Sequence, residues 1–317
     1  MNNRMIQNVK DSIPFSWKKK DLIYAPRIPG FTHGSHPCAI HIKDDLFIIA
    51  FTARDENQRS HIFLNYAEVI NGEVKLIDDP KLALKYGEPG FFDCDGVISA
   101  CLVKHDSSYY LYYVGWQNLP NSFWICDTGR TILDVENLKL TREFNGPVLG
   151  RDKDNPLFAA ATAFLVENDL WRTWYNSGLA WVKTEDQWKH FYGIHYAESS
   201  NGIDWKCSPG MCIPFKDKYE YAFGRPSVIK IDNNFYMWFA HRESVNVKTY
   251  RMGFAFSTDG YTWQRNDDIS GIDISNEGWD SQMICYPSVF KHKNNIYMLY
   301  NGNNYGETGF GLAVMEN

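Results

Sequence analysis

The stretch "HDSSYYLYYVGW", residues 105–116, joins a short polar turn to a strand-like run rich in tyrosine. Its aromatic part recurs along the chain, and consecutive copies begin 63, 61, 65 and 61 residues apart. The five copies are "LFIIAFTAR" (46–54), "YYLYYVGW" (109–116), "LWRTWYNSG" (170–178), "FYMWFAHR" (235–242) and "IYMLYNGN" (296–303). A nearly constant period of this length indicates one supersecondary unit that is repeated five times.

The residues on either side of these runs complete each unit. A polar turn precedes every copy, and a β-prone run such as "PSVIKI" precedes the turn, which is the pattern of a β-hairpin. Two further strands flank an Asn-Gly or Asp-Gly turn in "HYAESSNGIDW" (195–205) and "GFAFSTDGYTW" (253–263). We interpret Asp259, Gly260 and Trp263 as scaffold residues of this turn. Four-stranded antiparallel sheets repeated around an axis are the blades of a β-propeller.

The sequence therefore predicts an all-β fold, a five-bladed β-propeller of four-stranded antiparallel blades that forms a single domain over residues 1–317. Helical patterns are scarce, so an α/β alternative has little support. The last unit ends soon after "GFGLAVMEN", residues 309–317. We therefore expect a strand from the N-terminal segment, such as "DLIYAPR" (21–27), to complete the last blade and close the ring.

Composition excludes several classes of protein. Apolar residues make up 44% of the 317 residues, aromatic residues 16% and charged residues 22%, which is typical of a folded, strand-rich chain. The formal net charge of −6 and the lack of basic clusters argue against nucleic acid as a partner. No apolar run is long enough for a membrane helix, and no secretory signal is visible. The seven cysteines are scattered, which favours free thiols in a reducing cytoplasm.

Hairpin order sorts the loops between the two ends of the predicted propeller. Loops that precede a first strand and loops that follow a second strand share one end, and polar and aromatic residues concentrate there. The candidate catalytic residues are Asp93, Asp95, Glu220 and Asp280. The candidate substrate-binding residues are His33, His36, Arg54, Trp116, Asn176, Arg225, His241, Arg242, Tyr286, Asn301 and Asn303. Paired carboxyl groups suit glycosidic cleavage, and amides, guanidiniums and aromatic rings suit sugar binding.

Structural roles compete with each catalytic assignment. Asp95 precedes Gly96, so an ordinary turn explains it equally well. Asp93 and Asp280 could instead cap loops or pair with a neighbouring arginine. The aromatic neighbours of Glu220 could raise its pKa and make it an acid, and the alternative is a satisfied loop carboxylate.

The cationic candidates also leave two roles open. Arg225 and Arg242 are either structural ion-pair partners or groups that hold a carboxylate or phosphate of a ligand, because a planar guanidinium binds both in the same way. His33 and His36 have His-x-x-His spacing, but the sequence reveals no further metal ligands. We therefore expect these histidines to contact a ligand or support the fold, with no metal and no cofactor.

Several motifs resemble one group of known proteins. "FDCDGV" (92–97), "GRPSV" (224–228) and "GWDSQMICYPSV" (278–289), together with the repeated units, are similar to the five-bladed propeller proteins related to glycoside hydrolase families 43 and 32. Within that group, the chain most resembles the bacterial branch associated with surface-polysaccharide biosynthesis. The resemblance covers essentially the whole chain and implies the propeller fold more specifically than it implies a reaction.

The resemblance also implies where catalytic residues would lie. In hydrolases of that superfamily, acidic residues at the starts of the innermost strands form the catalytic set, which carries over to Asp93 or Asp95 and to Glu220. This chain departs from the family at residues 35–37, where it reads Ser-His-Pro instead of an Asp before Pro. Related proteins of family 130 use phosphate. The arginines compatible with such a use are Arg54, Arg225 and Arg242.

The leading hypothesis from the sequence is an enzyme that cleaves or transfers a glycosidic bond in bacterial surface-polysaccharide (O-antigen or capsule) metabolism. Glu220 would be the acid, Asp93 or Asp95 the base or stabilising carboxylate, and Asp280 an orienting group. A glycosyltransferase or phosphorylase is a variant of this hypothesis. The alternative is a non-catalytic propeller that binds a glycan or nucleotide sugar, which the missing first-blade Asp favours. A protein-interaction platform is a third possibility, and it predicts an apolar patch on one face.

Overall fold

The computed structural model describes residues 15–120, 123–185 and 187–316, and most of these residues lie in β-strands. The strands are β1 (Trp17–Tyr24), β2 (Thr32–Lys43), β3 (Leu46–Arg54), β4 (Ser60–Ile70), β5 (Glu73–Leu84), β6 (Gly96–His105), β7 (Ser108–Asn118), β8 (Trp124–Asp134), β9 (Lys139–Arg142), β10 (Ala159–Glu167), β11 (Leu170–Lys183), β12 (Trp188–Ser199), β13 (Lys206–Cys207), β14 (Ala222–Ile231), β15 (Asn234–Arg242), β16 (Arg251–Ser257), β17 (Gln264–Arg265), β18 (Cys285–His292), β19 (Asn295–Asn301) and β20 (Phe310–Met315). Short helical turns occur at Asp267–Ile269 and Asn303–Gly306. No helix among the described residues has the length and apolar character needed to cross a membrane. The predicted all-β class is confirmed.

Strands that follow one another in the chain pair in antiparallel fashion. The sequences β2 to β5, β6 to β9, β10 to β13 and β14 to β17 each form such a run. The last group consists of β18, β19 and β20, and β1 pairs antiparallel with β20 at its outer edge. The N-terminal strand therefore lies beside the C-terminal strand, and it includes the first residues of the segment "DLIYAPR".

Neighbouring groups of strands are joined by single parallel residue pairs. Ser60 pairs with Gly96, Asp127 with Ala159, and Tyr192 with Ala222. These links make one sheet of 16 strands, while β1, β20, β19 and β18 form a separate sheet of four. The first strands of the groups also contact one another in a closed circuit, in the order β2, β6, β10, β14, β18 and back to β2. This circuit brings five first strands to a common axis.

The hydrophobic core lies between neighbouring groups of strands. One cluster joins Phe47 and Phe51 of β3 to Tyr297 and Leu299 of β19 and to Phe310 of β20. Burial of each large apolar side chain contributes about 1.5–3 kcal/mol. This cluster therefore holds the first described group of strands against the last.

Every first strand is interrupted near its beginning. The pairing of β2, β6, β10, β14 and β18 with its second strand shifts register at this point, as a β-bulge does. In three strands the bulge holds a non-glycine residue at positive φ directly before a proline, with φ of 52° at His36, 39° at Arg225 and 55° at Tyr286. Such a conformation costs about 1–3 kcal/mol and is often found at functional sites.

The Asp-Gly turn at Asp259 and Gly260 supports the packing of two tryptophans. Gly260 has a φ of 78°, and its carbonyl oxygen accepts hydrogen bonds from the indole N–H groups of Trp174 (2.8 Å) and Trp263 (3.1 Å). The Asp259 carboxylate accepts hydrogen bonds from the backbone N–H groups of residues 261 and 262, at 2.8 and 2.7 Å. These contacts agree with the scaffold role that the sequence predicts for this turn.

Candidate functional site

The predicted catalytic carboxylates of the second group of strands are held by neighbours in the same group. Asp93 is buried, and it accepts hydrogen bonds from the Tyr113 hydroxyl (3.1 Å) and from the guanidinium of Arg142 (2.7 Å to Nη2). Arg142 belongs to β9, the outermost strand of the group. Asp95 is partly exposed and accepts a hydrogen bond from the backbone N–H of Asn118 at 2.7 Å.

Asp280 repeats the arrangement of Asp93 in the last group of strands. Its buried carboxylate accepts hydrogen bonds from the Tyr300 hydroxyl (2.9 Å) and from the ammonium of Lys19 (2.7 Å). Lys19 lies on the outer strand β1, and Tyr300 occupies the same place in its aromatic repeat as Tyr113 does in the second. The repeated fold therefore places a loop carboxylate, a tyrosine and an outer-strand cation together in both groups.

Glu220 is held in a related way, by an arginine of the outer strand and by a histidine in place of the tyrosine. Its two carboxylate oxygens accept hydrogen bonds from Arg265 of β17, both at 2.7 Å, and the Lys216 backbone N–H donates another at 2.7 Å. The ring of His241 lies 3.2 Å away. Burial opposes the charge, but the hydrogen bonds from His241 and Arg265 outweigh it and lower the pKa of Glu220 to about 2. The expected rise in this pKa is not found, so Glu220 is ionised at neutral pH.

The candidate carboxylates have separate hydrogen-bond and ion-pair partners. Among the described residues, no hydrogen bond or ion pair joins one of them to another, and only Asp93 and Asp95 share a loop. Glycosidic cleavage by an acid and a base needs two carboxyl groups close to one sugar. The catalytic roles proposed for these residues stay predictions, because none of these contacts tests turnover.

The positive-φ residues of the first strands, in contrast, meet near the axis. The rings of His36 and Tyr286 stack with centroids 4.0 Å apart and planes 21° apart. Arg225 reaches across the circuit, and its Nη2 donates to the carbonyl oxygens of Pro37 (2.9 Å) and Ala100 (3.0 Å), which belong to two other first strands. Burial and the charge of Arg225 hold the pKa of His36 well below its ordinary value.

The predicted asparagines support the backbone around these residues. Asn301 accepts a hydrogen bond from the His36 backbone N–H (2.8 Å), and Asn176 accepts one from the Arg225 backbone N–H (3.1 Å). The side-chain oxygen of Asn303 accepts hydrogen bonds from two backbone N–H groups in the loop before β18. The side-chain N–H groups of these asparagines also donate to carbonyl oxygens. In this structure they position loops.

Three other predicted residues lie at the same end of the structure. Trp116 donates its indole N–H to the Ser60 hydroxyl at 2.7 Å, which is a contact within the scaffold. His33 is partly exposed, and burial and the nearby charge of Arg54 lower its pKa to about 4. Both histidines of the His-x-x-His pair are therefore neutral at neutral pH, and no group of potential metal ligands is found among the described residues.

A cavity lined by aromatic side chains opens at the end that holds Tyr286. Its lining comes from the starts of first and third strands and from the ends of two second strands, β11 and β15, which all lie at this end. We call it the aromatic pocket; its volume is about 680 Å³. The lining residues are Trp124, Trp181, Gln187, Trp188, Lys189, His190, Tyr192, Tyr221, Arg242, Tyr250 and Tyr286.

Arg242 is the central cation of the aromatic pocket. Its guanidinium lies 4.2 Å from the ring centroid of Tyr250 and donates to the hydroxyl oxygens of Tyr221 (3.0 Å) and Tyr305 (2.9 Å). The hydroxyls of Tyr192 and Tyr250 hydrogen-bond to each other. The pocket therefore presents flat rings, hydroxyl groups and two cationic side chains, Arg242 and Lys189.

His241 and Glu220 line a different cavity of about 800 Å³, which also contains several exposed carboxylates. His241 and Arg242 are consecutive residues of β15, so their side chains point to opposite sides of the strand. The sequence pattern assigned these two residues to one site, but the structure places them in two cavities. Arg242 shares its cavity with Tyr286, and His241 shares its cavity with Glu220.

Most of the lining of the aromatic pocket was missed in the sequence. Trp181 and Trp188 lie on a β11–β12 hairpin with strands of 14 and 12 residues, and Trp188 is 43% exposed. The visible signal was the aromatic segment "LAWVKTEDQWKHFYG" (179–193), which continues beyond the repeated pattern. Asp127 was missed as well, and burial raises the pKa of this carboxyl group.

Comparison with solved structures identifies the fold. The chain is similar to a structure named "Glycoside hydrolase", with a TM-score of 0.72 and 16% identity over 100% of this chain and 96% of that one. A glycosyl hydrolase from Bacteroides ovatus has a TM-score of 0.68 and 12% identity, with coverage of 95% and 93%. The structure named "The GH130 family of mannoside phosphorylases contains glycoside hydrolases that target beta-1,2 mannosidic linkages in Candida mannan" has a TM-score of 0.66 and 12% identity, with coverage of 95% and 93%. The protein thus has a glycoside hydrolase-like all-β fold.

Two sequence relatives define the family. The proteins named "Uncharacterized protein MT1551" and "Uncharacterized protein Rv1502", from two strains of Mycobacterium tuberculosis, are each 33% identical to the chain over 306 residues. The match covers 95% of this chain and 100% of each relative. The protein belongs to the family of these two mycobacterial proteins. No family model matches it.

Proposed function

We propose that this protein is a five-bladed β-propeller that binds a carbohydrate in the aromatic pocket. The five antiparallel groups of strands and the closed circuit of their first strands support the number of blades. In this proposal β1 supplies the outer strand of the last blade. A relation to families 43 and 32 stays a prediction from the resemblance.

The lining of the aromatic pocket is the observation that carries the proposal. Trp181 and Trp188 lie on the projecting hairpin, while Tyr250 and Tyr286 lie nearer the axis. Aromatic rings can stack on the apolar faces of sugar rings, and hydroxyl, amide and guanidinium groups can hydrogen-bond with sugar hydroxyls. A volume of about 680 Å³ lies in the ordinary range for small-molecule pockets. The names of the similar solved structures, glycoside hydrolases and mannoside phosphorylases, support the same class of ligand.

A binding screen with a matched pair of variants tests this function. The wild-type protein should be retained on a subset of an array of immobilised oligosaccharides, and the Trp188→Ala variant should bind the same glycans about fivefold to tenfold more weakly, because one stacking surface is lost. Tyr261→Ala is the control, since Tyr261 is similarly exposed (46%) and lies outside the aromatic pocket. Equal retention of all three proteins would locate binding elsewhere, and no retention on any glycan would refute carbohydrate binding.

Cleavage or transfer of a glycosidic bond is the second candidate function. The glycoside hydrolase-like fold favours it, although Glu220, the predicted acid, has a lowered pKa and a bidentate partner in Arg265. Among the described residues, Asp127 is a buried carboxyl group whose pKa is raised by burial despite its ion pair with Arg151, which suits an acid better, although it lines neither cavity. Release of reducing sugar or sugar phosphate from glycans found in the binding screen would identify an enzyme. Loss of product formation in Asp127→Asn but not in Glu220→Gln would then identify Asp127, and not Glu220, as the catalytic acid.

The cellular setting is a further part of the proposal. We place the protein in the cytoplasm and in surface-polysaccharide metabolism, with a glycan or nucleotide sugar as ligand. The resemblance to the bacterial polysaccharide branch supports this setting, and the free state of the seven cysteines agrees with a reducing compartment. Fractionation of cells that produce the protein at native level would test the location.

A further inference from the structure

Most arginines that are buried or partly buried in the described part of this protein meet a carboxylate. Arg130 lies 2.6 Å from Glu143, Arg142 lies 2.7 Å from Asp93, and Arg265 forms its bidentate pair with Glu220. Within residues 15–120, 123–185 and 187–316, no carboxylate forms an ion pair with Arg225 or Arg242. Arg54, which is partly exposed, has no such ion pair either, and Arg225 and Arg242 are the two of these arginines that lie beside Tyr286 near the axis.

The neighbouring tyrosines Tyr192, Tyr250 and Tyr286 supply no negative charge to Arg242. Burial raises the pKa of Tyr192 to about 12 and holds the pKa values of Tyr250 and Tyr286 well above the ordinary value. These hydroxyls are therefore neutral at neutral pH and act only as dipoles and π-faces. The Nε–H group of Arg242 is buried and has no hydrogen-bond acceptor among the described residues.

Arg225 adds a second uncompensated charge behind the pocket. This residue is only 4% exposed, and its side-chain hydrogen-bond acceptors among the described residues are the Pro37 and Ala100 carbonyl oxygens, while Nη1 has none. An arginine remains protonated in proteins even where burial lowers its pKa, as it does here. Tyr286 lies close to both guanidiniums and lines the aromatic pocket, so the two charges act on the same space.

A buried charge and a partly buried charge without a counter-ion are unfavourable unless something else supplies the negative charge. An anionic group in the pocket would pair with the guanidinium of Arg242 and gain from the field of Arg225. We infer that the carbohydrate bound in the aromatic pocket carries an acidic group, a carboxylate or a phosphoryl group, which pairs with Arg242. This inference rests on the proposed carbohydrate binding and adds the chemical class of the ligand.

Matched probes separate the two possible sources of the acidic group. The array would carry neutral oligosaccharides, uronic-acid oligosaccharides of the same length and sugar phosphates, and inorganic phosphate would be added as a competitor. Retention should be confined to one or both acidic sets and should weaken as salt is raised, because screening reduces charge pairing. Competition by inorganic phosphate at low millimolar concentration would identify a phosphoryl site, and its absence with uronic-acid binding would identify a carboxylate site.

Three variants test whether Arg242 supplies the positive charge that binds the acidic group. Arg242→Gln should lose about tenfold or more in affinity for the acidic probes, because a charged hydrogen bond is removed. Arg242→Lys should keep part of the affinity, since the charge remains while the guanidinium fork is lost. Arg27→Gln removes one exposed positive charge elsewhere and should bind as the wild-type protein does. Thermal unfolding of each variant would show whether a loss of binding reflects a loss of folded protein.

The outcomes distinguish this inference from the function on which it rests. Equal binding of neutral and acidic oligosaccharides, with no effect of Arg242→Lys or Arg242→Gln in folded protein, would overturn the inference and leave carbohydrate binding intact. No binding to any probe would refute the proposed function, and the inference with it. Binding of inorganic phosphate alone, with no retention of any glycan, would likewise contradict an acidic carbohydrate as the ligand.

Discussion

At the scale of single residues, the carboxylate of Glu220 shows how burial and pairing fix a protonation state. Its side chain is 3% exposed, and it forms a bidentate ion pair with Arg265 while lying 3.2 Å from the ring of His241. Removal of one partner of a buried ion pair leaves the other charge uncompensated, which is more costly than loss of an exposed pair. Glu220 therefore stabilises the loop before β14, whatever its role in chemistry.

The first prediction concerns this ion pair. Glu220→Gln should lower the free energy of unfolding at pH 7 by about 3–5 kcal/mol, because Arg265 loses its charged partner in a buried setting. Urea denaturation followed by circular dichroism would measure the change. Glu73→Gln is the control, since Glu73 is exposed on β5. A change below about 1 kcal/mol, similar to that of a surface pair, would contradict the assigned burial.

The pH dependence of the same variant has a definite sign. The folded-state pKa of Glu220 lies below its ordinary value of 4.5, at about 2. The stability gained from its charge is therefore fully present above pH 4.5 and is lost as the pH falls towards about 2. The stability difference between wild-type protein and Glu220→Gln should narrow across this interval. A constant difference from about pH 6 to about pH 2.5 would show that the carboxylate charge is not responsible.

The partners of the candidate carboxylates could not be predicted from the sequence. Asp93, Glu220 and Asp280 were correctly seen as polar residues before first strands, but their cations lie on the outer strands, and Lys19 is 261 residues from Asp280. No periodic pattern links residues at such separations. Their pairing depends on how the fourth strand of each group folds over the loop that precedes the first.

At the scale of elements, the strand pattern was readable because it repeats. Each aromatic run corresponds to a second strand, β3, β7, β11, β15 or β19, and each polar turn before it corresponds to a hairpin turn. The fourth strands were harder to see, since β13 and β17 contain two residues each and carry no apolar alternation. The β-bulges of the first strands were also hidden, although His36, Arg225 and Tyr286 each precede a proline.

A prediction at this scale concerns the outer strand β1. Trp17 is buried beside Trp238 of β15, with ring centroids 5.3 Å apart, although it belongs to an edge strand. Trp17→Ala should lower the free energy of unfolding by about 3–5 kcal/mol, as expected for truncation of a large buried ring. Lys18→Ala, at the neighbouring exposed position, should have an effect within about 0.5 kcal/mol. Equal and small effects in chemical denaturation would indicate that β1 adds little to the last sheet.

At the scale of the whole molecule, the first and last groups of strands share one hydrophobic cluster. Phe51 contacts the ring of Phe310 with centroids 5.5 Å apart, and the ring of Tyr24 in β1 lies 4.4 Å from that of Phe51. A substitution that disrupts this cluster in the first group of strands should therefore also destabilise the last group. The molecule should unfold as a unit.

Tryptophan positions make this prediction measurable. Residues 32–84, which include Phe51, contain no tryptophan, so indole fluorescence reports only on the rest of the chain. Phe51→Ala should lower the midpoint of thermal unfolding equally in tryptophan fluorescence and in far-ultraviolet circular dichroism. The expected loss of stability is about 3–5 kcal/mol. An unchanged fluorescence midpoint, with an earlier transition in circular dichroism, would show that the first group melts independently.

The aromatic pocket illustrates what a repeat pattern leaves unseen. The sequence identified Arg242 and Tyr286 because hairpin order places both at the same end of the predicted propeller. The structure brings the two residues to one cavity. Trp181 and Trp188 escaped notice because the β11–β12 hairpin is longer than the repeat predicts. Departures from a repeat carry specific function more often than the repeat does, since the repeat serves the common scaffold.

The contact between β1 and β20 has a topological consequence for protein engineering. The Glu316 backbone N–H donates to the Ser16 carbonyl oxygen at 2.8 Å. Two residues that are far apart in the sequence therefore lie side by side in the structure. In a variant that begins at Ser16 and ends at Glu316, a short peptide joining these two residues would close the backbone into a circle, which could then be reopened at the exposed hairpin turn between Asp106 and Ser107. In such a circular permutant β20 and β1 become a covalently linked hairpin within the last sheet, and the cut falls at a turn on the side remote from the aromatic pocket.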